Sequence, residues 1–87
     1  MNVVELTTLV RKESPLLYRR TYTATAVLSH ANANEDPRRI EFVLEHSPLG
    51  PVQIRVKFLD EPDFPLETIV GRLEEHIREL EERGELP

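Results

Sequence analysis

The chain has no cysteine and no tryptophan, and only three glycines. Without cysteine there are no disulfides, no thiol nucleophile and no thiolate-bound zinc or iron–sulfur centre. With glycine confined to Gly50, Gly71 and Gly84, no glycine-rich phosphate cradle can form. No apolar run approaches the ~20 residues that cross a bilayer, and the start Met1-Asn2-Val3-Val4-Glu5 has no basic stretch leading into an apolar one. No Asn-x-Ser/Thr acceptor occurs either. These absences point to the cytoplasm, with no membrane contact and no cofactor.

What remains is ordinary for a small globule: 87 residues, 39% hydrophobic and 31% charged. That length supports a single α+β domain spanning residues 1–87, with one core. The net charge of −5 is unevenly spread. Residues 1–39 hold six Lys/Arg against four Asp/Glu, whereas residues 40–87 hold five against twelve. The chain as a whole is therefore a poor nucleic-acid binder, and only a local basic patch could act as one.

The strongest periodic signal is C-terminal. Leu66, Ile69, Val70, Leu73, Ile77 and Leu80 fall on one stripe of a helix running from Leu66 to Arg83. Glu67, Gly71, Glu74, Arg78 and Glu82 form its outer row. Such a stripe is stable only when laid on another element, which upstream strands must supply. Gly84 is the stop signal, and Pro65 with the acidic run Asp60-Glu61-Pro62-Asp63 marks the entry.

Ile40–His46 and Val52–Phe58 alternate cleanly across Ser47-Pro48-Leu49-Gly50-Pro51, giving a hairpin centred on Leu49. This register pairs Ile40 with Phe58, Phe42 with Val56, Leu44 with Ile54 and His46 with Val52 on the core face. The other face pairs Glu41 with Lys57, Val43 with Arg55 and Glu45 with Gln53, so apolar and charge matching agree. Tyr18–His30 forms a further strand with Tyr22, Ala24, Ala26 and Leu28 inward. Residues Ala31–Pro37 read as a loop, and pairing His30 with Ile40 sets Leu28 against Phe42 and Ala26 against Leu44. Residues 2–13 fit two templates. Their β-branched content favours a strand, while Val3, Leu6, Leu9 and Val10 also fit a short helix. The expected architecture is a four-stranded antiparallel meander with one helix across one face, in the order β-β-β-β-α, with the N-terminal segment helical as the alternative.

Several constellations bear on function. Arg11, Lys12, Arg19 and Arg20 gather at one end of the sheet and form a candidate anion or nucleic-acid patch, with Tyr18 and Tyr22 nearby. Arg38-Arg39 lies roughly 30 Å away at ~3.3 Å per strand residue, so no continuous basic stripe results. Glu79, Glu81, Glu82 and Glu85 end the helix where carboxylates oppose its dipole, and they need a cation close by, from Arg78, Arg83 or the basic cluster. Asp60, Glu61 and Asp63 lack the ligand spacing and turn glycine of a calcium loop and fit helix-entry electrostatics instead. His30, His46 and His76 are widely spaced. His46 and His76 could meet under the helix as a pH-sensitive or metal pair, although a boundary role satisfied by backbone or water is the simpler reading. Ser14, Ser29 and Ser47 have no nucleophile elbow around them, so no catalytic residue is assigned.

The face that the helix leaves open carries Thr21, Thr23, Thr25, Val27 and Val43, a surface suited to packing against a second sheet. Gly71, on the helix's outer row, is costly there unless another chain approaches it closely. A non-catalytic protein–protein interaction or assembly module is expected, with a homo-oligomer or another protein as partner. RNA or phosphate binding through the basic cluster is the first alternative, and a metal-binding protein or enzyme using His46 and His76 the second.

Overall fold

Val3, Leu6 and Leu9 are three residues apart, yet all three pack on the core from a strand. The computed structural model, which describes residues 2–31, 34–60 and 65–87, shows how. In β1 (Asn2–Lys12) the pairing with β2 (Arg19–Ser29) slips between Val3 and Glu5 and again between Thr7 and Val10. Each slip inserts one extra β1 residue, so a side-chain period of two becomes a spacing of three. At the second bulge Thr8 takes φ 54°, a left-handed conformation that a β-branched residue rarely adopts. The helix-like spacing of this segment is thus a property of a bulged strand, and the helical alternative falls away.

β3 (Glu35–Ser47) and β4 (Gly50–Phe58) complete one antiparallel sheet in chain order, and α1 (Leu66–Glu82) follows. The β3–β4 register agrees with the sequence reading from Ile40↔Phe58 through Glu45↔Gln53. Its end does not. Ser47 pairs with Gly50, so the turn is only Pro48-Leu49, and Pro51 with Val52 bulges opposite His46 in place of the expected His46–Val52 pair.

The β2–β3 register corrects a second expectation. Ile40 pairs with Ala24 rather than His30, a displacement of six residues, because β3 starts at Glu35 inside the stretch read as loop. Pro37 is tolerated there for a geometric reason. Arg39 accepts from Leu59 N at 2.9 Å, so odd residues of β3 direct their backbone groups toward β4. β4 has ended by that level, so the donor that proline lacks would have had no strand to meet. Six is even, so the displacement moved no residue to the wrong face.

The core therefore forms as the alternation requires. Tyr22, Ala24, Ala26 and Leu28 of β2, with Ile40, Phe42 and Leu44 of β3, Ile54 of β4, and Ile69, Leu73 and Ile77 of α1, are buried. Tyr22 and Phe42, paired across the strands, stack with centroids 5.0 Å apart. Ala24 and Ala26 leave room for the helix between larger neighbours. Leu66, at the first turn, is exposed, so the stripe works from Ile69 onward. Two arginines fasten the helix to the two edge strands: Arg72 Nη1 donates to Asn2 Oδ1 of β1, and Arg78 Nη1 to the Val52 carbonyl of β4 at 3.1 Å. Gly84, at φ 68°, ends the helix. Its N–H meets the Glu81 carbonyl and Glu85 N–H the Leu80 carbonyl, the paired arrangement that lets the chain turn back. Leu86 then returns to the core.

Candidate functional site

Alternation assigns the four clustered cations to different surroundings. Arg20 shares a parity with Tyr22 and Ala24, so it lies under the helix layer, whereas Arg19 and Lys12 lie on the open face. Arg20 is the cation that the C-terminal glutamates needed: its guanidinium meets Glu81, donates to Tyr22 Oη at 3.2 Å and contacts His46 Nε2 at 2.9 Å. Tyr22 Oη passes a hydrogen bond to the Pro87 carbonyl at 2.8 Å, tying the C-terminal tail to the sheet. Burial pushes the Arg20 pKa down, but Glu81 and Tyr22 outweigh it and hold the guanidinium charge more firmly than in water. His46 can accept from Arg20 only while neutral at Nε2.

This arrangement separates the two histidines proposed as a pair. His46 belongs to the turn end with Arg20, and His76 lies beside Asn2, Val3 and Arg72 at the start of β1. Among the described residues, no group of three or more His, Asp or Glu is placed to hold a metal ion. A polar cluster that the loop reading hid sits at the opposite end. Asp36 Oδ2 is 3.1 Å from His30 Nε2, and its Oδ1 is 3.0 Å from Arg38 Nε. Burial raises the Asp36 pKa, but the hydrogen bonds and charges of His30 and Arg38 more than reverse that, so the carboxyl sits below its ordinary range. Of the acidic entry, Asp60 Oδ2 accepts from Arg39 N at 3.4 Å, while Glu61 and Asp63 lie outside the described residues.

The open face holds Thr21, Thr23, Thr25, Val27 and Val43 as half-buried residues in two adjoining strands, and Val10 of β1 joins them with 52% of its surface exposed. Lys12 pairs with Glu41 at 3.2 Å and Arg19 with Glu45 at 3.5 Å, so the face carries both signs of charge. Gly71 is on the other layer of the molecule, exposed on the helix, with open space where a Cβ would stand.

A family model matches residues 1–82, which include all four strands and the helix. The chain belongs to the BB_0187 family. No curated protein matches it, and no solved structure does. The matched span thus contains the open face, the Arg20–Glu81 lock and the segment joining β1 to β2, and only the tail contact at Pro87 lies beyond it.

That joining segment forms the wall of a concavity of about 780 Å³, with Arg11, Lys12 and Arg19 on its lining beside Glu13, Ser14, Leu16 and Leu17. Ser14 Oγ accepts from Leu16 N at 3.2 Å, and Arg19 N donates to the Leu16 carbonyl at 3.4 Å, which fixes the shape of the loop. Three of the four cations singled out in the sequence therefore share one hollow, and the fourth is committed to the helix. The signal for that division was present in the sequence: Arg20 stands two residues before Tyr22 and so on its face. The contribution of the tail carried no comparable signal.

Proposed function

We propose that this chain is a small non-catalytic cytoplasmic assembly module that associates with a second copy of itself through the open face of its sheet. The observation that supports this reading is the distribution of charge between the two layers. Strands of one parity place Glu5, Glu35, Glu41 and Glu45 on the open face together with Lys12, Arg19, Arg39, Arg55 and Lys57, a near balance. The helix, by contrast, carries six glutamates and two arginines. Two copies meeting helix to helix repel one another, whereas two copies meeting sheet to sheet do not. The threonine and valine centre of the open face then packs as facing sheets do, about 10 Å apart.

Sedimentation equilibrium tests the proposal. The wild type should self-associate, and Thr23→Glu with Val43→Glu should give a folded monomer, because both carboxylates are solvated on an unpaired face and buried in a pair. A wild type that stays monomeric at the highest attainable concentration refutes it.

A further inference from the structure

The hollow under the β1–β2 loop goes beyond self-association. We infer that it is a binding site for a phosphate monoester carried on an apolar body. Three cations, Arg11, Lys12 and Arg19, line it against a single carboxylate, Glu13. The Arg19 guanidinium is incompletely satisfied. Its Nη2 reaches Glu45 only at 3.5 Å, and its Nε is buried with no hydrogen-bond partner among the described residues. A buried donor without an acceptor is costly, and a doubly charged oxygen-rich group removes that cost with charge-assisted bonds. Lys12 is held by Glu41 at 3.2 Å with about half its side chain exposed, an ion pair weak enough to exchange for a ligand. The Ser14 hydroxyl accepts from Leu16 N, which leaves its proton to donate.

The same loop defines the rest of the ligand. Leu16 lines the hollow, and Leu17 stands at its rim with 98% of its surface exposed. Leu49, on the neighbouring turn at the same end of the sheet, is 95% exposed. A free inorganic anion would leave these leucines in water, whereas an ester with an apolar portion would cover them. The volume falls within the range of small-molecule sites, about 300–1,000 Å³. Such chemistry can reach the site as a soluble organic phosphate or as an anionic phospholipid headgroup.

Amide spectra of the full chain at low salt, with inorganic phosphate, dihexanoyl phosphatidic acid, and phosphatidylcholine vesicles with and without phosphatidic acid, test the site and separate the sources. The short-chain ester should shift the amides of residues 11–19 saturably and more tightly than inorganic phosphate. Arg11→Gln with Arg19→Gln should weaken it by roughly tenfold or more, as should Lys12→Gln alone if the double variant fails to fold. Cosedimentation with phosphatidic acid vesicles that Leu17→Ser abolishes assigns the ligand to a lipid surface. Saturable shifts with the soluble ester but no vesicle binding support the site and assign it to a free phosphate ester. No saturable shift with any probe overturns the inference, and so do shifts that persist unchanged in the folded glutamine variants.

Discussion

Replacing Gly71 by alanine should stabilise the monomer, and the expected size can be derived from the structure. The residue lies inside α1, and a Cβ built on it meets nothing within 4 Å. No packing is gained or lost, so the change reduces to the difference in helix propensity between glycine and alanine, about 1 kcal/mol in an exposed interior position. For a domain of this size each kcal/mol moves the melting temperature by roughly 4–8 °C. Urea denaturation followed by circular dichroism should show a higher midpoint at an unchanged slope, since the surface exposed on unfolding does not change. The measurement also locates the interface. With association through the open face, on the opposite layer, the gain should be the same in dilute and concentrated protein. A gain seen only on dilution would mean that another chain packs on the helix at Gly71, and would refute the sheet-to-sheet arrangement. A loss at all concentrations would refute the description of α1 itself.

The remaining expectations test the core, the bulge and the polar end. Leu73→Ala removes a fully buried side chain between helix and sheet and should cost about 2–5 kcal/mol in the same urea assay. Thr8→Gly should be neutral or stabilise by up to about 1 kcal/mol, because it relieves a positive φ, whereas Thr7→Gly at an ordinary strand position should destabilise. Asp36 has a lowered native pKa, so its share of stability is complete above the unfolded carboxyl value near 3.9 and is lost as pH falls through the native value. Urea midpoints of the wild type should therefore converge on those of Asp36→Asn as the pH is lowered below about 4, and parallel curves would count against the His30–Asp36–Arg38 cluster.

The sequence made faces far more legible than registers. Every residue of β2 expected to point inward, from Tyr22 to Leu28, is buried, although the strand it pairs with was displaced by six positions. The parity of a strand is written in its own alternation, whereas its register depends on loop length, and Asp36-Pro37 looked like loop because proline was weighed without its neighbours. Only an unpaired flank makes Pro37 acceptable, and that flank exists because β4 stops at Phe58. The ambiguity of β1 has the same character. Two bulges turned a two-residue period into the three-residue spacing of Val3, Leu6 and Leu9, so both templates matched and neither described the segment. Glycine, the usual mark of such a bulge, is absent there, and Thr8 occupies the left-handed position instead.

The basic cluster shows why a charge count along the chain does not predict a site. Four cations close in sequence looked like one patch, but a strand sends neighbours to opposite faces, and the helix returns six glutamates to the side that Arg20 occupies. One arginine is enough to dock the helix end, because Glu81 sits where the dipole disfavours a carboxylate and a cation across the layer offsets it. Tyr22 and neutral His46 complete the coordination of that guanidinium, so its partial burial leaves no donor stranded on this account. The Arg19 guanidinium is the contrast: it is one residue away, on the other face, with its Nε buried and unpaired. The helix thus consumes Arg20 for architecture, and the hollow at the β1–β2 loop retains Arg11, Lys12 and Arg19. Adjacent residues of one sequence pair, Arg19-Arg20, have been given separate tasks by nothing more than the alternation of the strand they share.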